Sequence, residues 1–241
     1  TFNTLLLNKA KLTPPARPCY HARDRRYSTV LLGQGMDSLA QIDQEVSVCT
    51  DCPLSRNRTR AVPGEGPESA EIMLIGEAPG FNEDKQGRPF VGAAGHFLED
   101  LLAVAKLRRE DVYITNTVKC RPVNNRDPLP GELAACRKYL DRQIEVILPK
   151  VIVTLGRHAL TSFLPNETIG KARGRPRSVN GTTLFPIYHP AAALYQQNLR
   201  KVIEGDIMKL PVLLEERSSV QQEALPVEVE TESNGEQLSM F

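Results

Sequence analysis

The residues best suited to chemistry lie in a glycine- and proline-rich stretch between positions 76 and 95. The stretch contains Gly-Glu-Ala-Pro-Gly, then Phe-Asn-Glu-Asp, then Gly-Arg-Pro-Phe-Val-Gly. Glycine has no Cβ, so the backbone here can approach a ligand closely. The carboxylates of Glu77 and Glu83 and the ring of Phe90 accompany the glycines. These groups suit a site that binds, stacks on and polarises a flat polar molecule; a tight strand-to-helix turn with incidental charges is the alternative.

This stretch lacks the phosphate-binding loops of nucleotide enzymes. No Gly-Lys-Ser/Thr follows it, so it is not a Walker A loop, and it does not match G-x-G-x-x-G. Phosphate cradling is therefore disfavoured, and nucleotide hydrolysis is a weak rival function.

Two further polar side chains follow predicted strands. Asn116 lies in Thr-Asn-Thr-Val-Lys-Cys, and its amide can donate and accept hydrogen bonds together, which suits the edge of a base or of another amide. His189 lies in Tyr-His-Pro-Ala-Ala, and histidine commonly performs proton or charge work near neutral pH. Each could equally be a structural residue when considered alone. In an open α/β sheet, however, three strand ends would bring Glu77, Asn116 and His189 to one edge.

Four cysteines form two pairs that could hold a metal centre. Cys49 and Cys52 make a C-x2-C pair, fifteen residues separate Cys120 from Cys136, and Cys19 lies outside this set. The chain shows no signal-peptide layout, and cysteine clusters in a reducing compartment more often bind metal than form disulfides. Four thiolates can hold one zinc or one [4Fe–4S] cluster. Four ordinary buried thiols are the alternative.

A short basic segment is a candidate for contact with phosphate groups. Residues 171–177 carry four cations and no acid, and Arg121 and Arg126 could extend the patch. The four cations are Lys171, Arg173, Arg175 and Arg177. A solvated loop is the alternative.

The elements that must position these residues alternate between strand and helix. Strands are predicted at 71–75, 111–118 and 150–155, and helices at 94–107, 131–148, 157–164 and 191–214. Asn180-Gly181 predicts a hairpin turn. The alternation predicts a three-layer α/β/α sandwich with a central, mostly parallel four-stranded sheet.

Composition is that of an ordinary globular protein. The 241 residues are 24% charged and 41% apolar, with a net charge of +1. No apolar run reaches the ~18 residues that span a membrane, so no membrane association is expected. We expect residues 1–35 to be a disordered or artefactual extension, 36–214 to form the folded domain, and 215–241 to be a disordered acidic tail.

Together these motifs resemble those of the iron–sulfur family 4 uracil-DNA glycosylases. The shared marks are C-x2-C at 49–52, Gly-Glu-Ala-Pro-Gly at 76–80, Gly-Arg-Pro-Phe-Val-Gly-x-Ala-Gly at 87–95, Thr-Asn-x-Val-Lys-Cys-Arg-Pro at 115–122, Cys136, and Tyr-His-Pro-Ala-Ala at 188–192. The resemblance implies an α/β/α sandwich, a [4Fe–4S] cluster on the four paired cysteines, and removal of uracil from DNA in base-excision repair.

The resemblance also implies how the base is bound. The enzyme would flip the uridine out of the stack into its pocket. Phe90 would stack on the uracil ring, and Asn116 would accept from N3–H and donate to O4. Glu83 would lie near C5 and exclude the methyl group of thymine. The backbone near Ala78 would help to hold the base and the attacking water.

Bond cleavage creates a sugar cation and a uracil anion. His189 would donate a hydrogen bond to O2 as the anion forms, and Glu77 is the nearest carboxylate that could act as a base. The main rival is a non-catalytic nucleic-acid-binding module with a zinc or iron–sulfur centre, which would need neither Asn116 nor His189.

The last five residues resemble the bacterial sliding-clamp-binding pentapeptide, whose common form is Gln-Leu-Ser/Asp-Leu-Phe. Gln237 opens the segment, and Leu238, Met240 and Phe241 would fill an apolar pocket on the clamp. A frayed tail is the alternative. These features predict a monomeric bacterial protein that is cytoplasmic and associated with the nucleoid.

Overall fold

The computed structural model describes residues 37–223, with side chains described as far as Glu216. The expected extension at 1–35, including Cys19, lies outside the described residues. So does the clamp-like peptide with Gln237, Leu238, Met240 and Phe241.

A mostly parallel sheet forms the centre of the protein. Its strands are β1 (Ile72–Gly76), β2 (Tyr113–Asn116), β3 (Val151–Leu155), β4 (Arg177–Val179) and β5 (Thr182–Ile187). They lie in the order β2-β1-β3-β5-β4, and only the β4–β5 pair among these described strands is antiparallel. The α/β fold class is confirmed, but the sheet has five strands and not the expected four. Asn180 and Gly181 both have positive φ (48° and 82°), so the hairpin turns tightly and adds β4 to the edge.

Helices cover both faces of the sheet. They are α1 (Leu39–Val48), α2 (Phe81–Gln86), α3 (Ala93–Val104), α4 (Pro130–Ile147), α5 (Gly156–Thr161), α6 (Ile169–Ala172), α7 (Pro190–Tyr195), α8 (Asn198–Ile207) and α9 (Leu210–Glu223). None of the helices in the described part of the chain has the length and apolar character needed to cross a membrane.

The helical segment after residue 189 differs from the prediction of one helix over 191–214. Gln196 adopts an extended backbone and ends α7, and Pro211 at the second position of α9 suits a helix start because proline has no N–H to pair. Three helices therefore replace one. The expected boundary between residues 214 and 215 falls inside α9, which continues to Glu223.

The core explains the three layers. Every residue of β1 and of β3 is buried, as expected for parallel strands covered on both faces. Leu74 points toward the layer of α3 and α7–α9, while Met73 and Ile75 pack toward α4. A third cluster joins α1 to α4 beside the four paired cysteines.

The sheet also fixes where side chains after the strands must meet. β1, β2 and β5 run in the same direction, and Gly76 pairs in register with Asn116. Their carboxyl ends consequently share one edge, which is where open α/β sheets bind ligands.

Candidate active site

A cleft of about 580 Å³ opens at the carboxyl edge of the sheet. Loops that follow β1, β2 and β5 form its walls. The six side chains or backbone segments expected to bind and cleave the substrate all line it: Glu77, Ala78, Glu83, Phe90, Asn116 and His189. The convergence expected from the order of strands and loops is therefore present.

Asn116 and Phe90 lie side by side at the bottom of this cleft. Only 2% of Asn116 and 6% of Phe90 is exposed. Both crowd Gly76: a Cβ there would lie 2.4 Å from Asn116 Oδ1 and 2.8 Å from Phe90 Cζ. The glycine at the end of β1 is thus what allows the amide and the ring to approach each other.

Arg109 holds the carbonyl side of the Phe90 loop. Its guanidinium donates to the carbonyl oxygens of Pro89 and Phe90, the latter at 3.1 Å, and is itself paired with Glu65 at 2.9 Å. Phe90 has a φ of +51°, a conformation that side-chain-bearing residues rarely adopt. These contacts hold the ring in place despite that strain.

Glu83 holds the amide side of the same loop. One carboxylate oxygen accepts from the N–H groups of Val91 and Gly92, each at 2.9 Å, and the other accepts from Gly80 N–H at 3.1 Å. Both oxygens are therefore engaged with backbone. A glutamate three residues after a helix N-cap is a known capping pattern, and this signal at Gly80–Glu83 could have predicted the contact.

His189 lies next to the Phe90 ring, with ring centroids 5.7 Å apart and planes inclined by 27°. Its Nδ1 accepts a hydrogen bond from Ala191 N–H at 3.1 Å, so in the neutral ring the proton is on Nε2. Burial lowers the pKa of His189 to about 4, although Glu83 opposes the shift. The imidazole is consequently neutral at pH 7 and donates from Nε2 alone.

Glu77 is a half-buried carboxylate with neighbours that the sequence did not predict. Burial raises its pKa to about 7, the charge of Asp127 adds to the rise, and Arg157 opposes it. His158 Nε2 lies 3.7 Å from Glu77 Oε2 and 3.2 Å from Asp127 Oδ2. The carboxylates of Glu77 and Asp127 and the imidazole of His158 are close enough to one another to hold a cation. However, Arg157 already donates to His158 Nε2 and to Asp127.

Comparison with known proteins assigns this chain to a family. The model of the uracil DNA glycosylase superfamily matches residues 63–206, which include all of the cleft loops named above. The chain belongs to the uracil-DNA glycosylase superfamily.

Several curated relatives narrow the family to its type-4 branch. The chain is 53% identical over 186 residues to the type-4 uracil-DNA glycosylase of Sulfurisphaera tokodaii, a match that covers 73% of this chain and 84% of that protein. The type-4 enzyme of Archaeoglobus fulgidus is 49% identical, with 73% and 92% covered. That of Thermotoga maritima is 48% identical, with 70% and 90% covered.

In this uracil-DNA glycosylase family member the four paired cysteines line one common cavity beside α1 and α4. They are Cys49 and Cys52 after α1, Cys120 after β2, and Cys136 on α4. Arg58 donates to Cys120 Sγ at 3.0 Å, and Lys119 N–H donates to Cys136 Sγ at 3.3 Å. Donors to sulfur of this kind stabilise thiolates that ligate a metal centre.

The basic segment lies near the cleft, but its four cations are not equivalent. Arg173 pairs at 2.7 Å with the buried Asp206, and its guanidinium lies over the ring of Tyr188, the residue before His189. Arg173 therefore anchors the segment. Lys171, Arg175 and Arg177 form no ion pair with any residue in the described part of the chain.

Exposed apolar side chains on the cleft rim were missed by the sequence analysis. Leu194 and Tyr195, at the end of α7, are 49% and 87% exposed and line the cleft, and Phe81 does so from α2. Exposed apolar groups around a binding cleft commonly contact the ligand. Their helical spacing alone had no feature that distinguished them from core residues.

Proposed function

We propose that this protein removes uracil from DNA by hydrolysing the N-glycosidic bond of deoxyuridine, which releases uracil and leaves an abasic site for base-excision repair. The observation that carries the proposal is that Phe90, Asn116 and His189, from three separate segments of the chain, line one cleft. Membership of the superfamily and the names of the relatives support the same activity.

The base must leave the DNA stack to reach such a cleft, so the uridine is flipped outward. Phe90 then stacks on the ring, while Asn116 accepts from N3–H and donates to O4. Cytosine presents the opposite pattern and leaves buried groups unpaired, at a cost of about 1–3 kcal/mol for each. The burial of Asn116 excludes water that would otherwise satisfy those groups.

His189 stabilises the leaving base. As the C1′–N1 bond breaks, its electron pair passes to uracil, and His189 Nε2–H donates a hydrogen bond to O2 of the developing anion. A neutral imidazole with a pKa of about 4 suits this role, since it donates a hydrogen bond without transferring its proton. Stabilisation is thus greatest where charge develops.

Glu77 activates the water. Its carboxylate accepts a proton as the water oxygen bonds to C1′, and a pKa of about 7 is well matched to a base that works near neutral pH. The backbone at Ala78 helps to hold the base and the water. Glu83 lines the cleft but has both oxygens engaged with backbone, so we assign it to positioning the Phe90 loop.

Lys171, Arg175 and Arg177 are proposed to contact DNA phosphates, with Arg173 holding their segment against Tyr188. Such contacts orient the strand and contribute a salt-dependent part of affinity. A sliding clamp is a further proposed partner through residues 237–241. Retention on the bacterial clamp with and without these residues tests it, and equal retention rejects it.

The four paired cysteines are proposed to hold a [4Fe–4S] cluster. The four thiols line one cavity, and two of their sulfurs accept hydrogen bonds from Arg58 and from the Lys119 N–H, which supports a metal centre there. The resemblance to the iron–sulfur family 4 glycosylases favours the cluster over zinc. Its role is to join chain segments, because hydrolysis transfers no electron.

Release of uracil from a single-stranded oligonucleotide that contains one deoxyuridine tests the function. The wild-type protein should release the base and leave an alkali-labile site, whereas a non-catalytic binding module would not. His189→Ala and Asn116→Ala should each lower the rate about 10²-fold or more, by analogy with loss of an oxyanion donor. His96→Ala, an exposed histidine that does not line the cleft, is the control. Full activity in both cleft variants would reject the mechanism.

A further inference from the structure

An exposed aromatic ring on the cleft rim is flanked by two cations. Phe81 opens α2, lines the cleft and is 49% exposed. Lys85 Nζ lies 4.3 Å from the centre of this ring, and the guanidinium carbon of Arg121 lies 5.0 Å from it. One ring therefore holds both positive groups at the mouth of the cleft by cation–π contacts.

The acids of α2 do not neutralise these cations. Phe81 and Lys85 are four residues apart, which places them on the same face of the helix. Glu83 is engaged by backbone N–H groups of the Phe90 loop, as described above. Asp84 is buried and accepts from Thr59 N–H at 2.9 Å. α2 thus presents positive charge outward and directs its negative charge inward.

Arg121 is held in position from the other side. Its Nε donates to Asn125 Oδ1 at 2.7 Å. Asn125 and Pro122, the residue after Arg121, both line the cleft. Neither Lys85 nor Arg121 forms an ion pair with a carboxylate of the residues that the structure describes. Two like charges brought to one place without an acidic partner create a local field that attracts an anion.

We propose that Phe81, Lys85 and Arg121 form a binding site for one backbone phosphate of the DNA strand that enters the cleft. This inference rests on the proposed function, since a nucleotide flipped into the cleft carries its flanking phosphates to the rim. The site differs from the basic segment at 171–177, which lies by Tyr188. Phosphate contacts of this kind fix the register of the strand and carry no sequence information.

The salt dependence of DNA binding tests the site. Affinity is measured by fluorescence anisotropy on a single-stranded oligonucleotide with an uncleavable abasic-site analogue, over a series of sodium chloride concentrations. Each phosphate contact contributes about 0.7 to the slope of log affinity against log salt on single-stranded DNA. Lys85→Gln and Arg121→Gln should each reduce the slope by up to that amount. Lys85→Arg, which keeps the charge, should restore it.

Lys106→Gln is the matched control. Lys106 is exposed and follows α3, a helix whose first residues line the cleft and whose 12 residues lead away from it. The slope of log affinity against log salt for Lys106→Gln should equal that of the wild type. Because Arg121 follows Cys120, the visible absorbance and melting temperature of Arg121→Gln must match the wild type before its slope is compared.

Three possible results have different meanings. A wild-type slope in both Gln variants rejects the phosphate site, even if the wild-type protein excises uracil. Failure of the wild type to release uracil rejects the proposed function, while the slopes still decide whether Lys85 and Arg121 bind phosphate. A reduced slope in the Lys106 control would also reject the assignment, since the effect would then reflect net charge alone.

Discussion

At the scale of single residues, the cleft shifts the pKa values of two side chains in opposite directions. Burial lowers the pKa of His189 and raises that of Glu77, so both neutral forms are favoured by the same cleft. The histidine becomes a hydrogen-bond donor without positive charge. The glutamate, with a pKa of about 7, suits the proposed role of a base that accepts a proton from the attacking water.

The rate of uracil excision should depend on pH through Glu77. The carboxylate must be deprotonated to act as a base, so the single-turnover rate should rise about tenfold per unit below pH 7 and level off above it, given its pKa of about 7. Glu77→Gln should be slower and should lose this rise. A wild-type profile that is flat from about pH 5 to 8 would exclude Glu77 as the base.

Asp127 should determine the pH at which the rate of uracil excision rises. Its charge raises the pKa of Glu77, whereas the neighbouring Arg157 lowers it and His158 lies between the two carboxylates. Asp127→Asn should therefore move the rise toward lower pH. The measurement is the same pH–rate profile, with Asp100→Asn on α3, outside the cleft lining, as the control. An unmoved profile would show that Asp127 does not act on the base.

At the scale of elements, the loop between α2 and α3 carries Phe90 and is held from both sides. Glu83 fixes its amides and Arg109 its carbonyls. Gly95 permits the tight packing, because a Cβ there would lie 1.9 Å from Phe90 O. The position of the Phe90 ring therefore depends on Glu83 in the cleft lining and on Arg109 and Gly95 outside it.

Glu83→Gln distinguishes two roles for this side chain. The amide replaces an oxygen acceptor with a donor, so at least one partly buried backbone N–H should lose its partner, which lowers the free energy of unfolding by about 1–3 kcal/mol. Excision of uracil should fall with it, and no activity on thymine should appear. Chemical denaturation and an assay on thymine-containing DNA measure both. Thymine excision by the variant would instead show that Glu83 excludes the methyl group.

Arg109→Met should weaken stacking without touching the base. Loss of the guanidinium frees the Pro89 and Phe90 carbonyls, and we expect kcat/KM to fall about tenfold, equivalent to ~1.4 kcal/mol. Inhibition by free uracil should weaken by a similar factor. Arg108→Met, the adjacent and mostly exposed arginine, provides the control. Unchanged uracil inhibition in Arg109→Met would mean that the ring does not depend on this contact.

Periodicity in the sequence predicted the long elements well. Continuous apolar runs located β1 and β3, and helical periodicity located α3 and α4, to within a few residues, because each of these elements buries a continuous apolar surface. The six residues of α2 are too few to show a period, and the break after α7 depends on the backbone of Gln196. The sequence predicted the cleft residues that lie within recognisable motifs. Arg109 was not, since its partner Phe90 is 19 positions away in the chain.

At the scale of the whole molecule, α1 is joined to the rest of the domain by several contacts. Arg142 on α4 pairs with both Asp37 and Glu45. Ile42 and Val46 pack into the cluster beside the cysteines. The proposed metal centre would add a covalent link between the same segments.

Cys136→Ser should remove that link. We expect loss of the broad visible absorbance of an iron–sulfur protein and a destabilisation above about 4 kcal/mol, as is typical when a structural metal is lost. Hydrogen exchange should accelerate first in residues 39–60, which the centre connects to α4. Cys19→Ser, outside the described residues, is the control. Retention of the absorbance in Cys136→Ser would exclude this thiol as a ligand.

The positions of these cysteines in the chain also determine the order in which their thiols emerge during protein synthesis. Cys52 leaves the ribosome roughly eighty residues before Cys136. At about 5–20 residues per second this interval lasts ~4–16 s. During it the nascent chain would display only part of the proposed ligand set, so the proposed cluster could be completed only after Cys136 on α4 has been translated. Oxidants that reach the early pair in that window would block maturation irrespective of how stable the finished enzyme is.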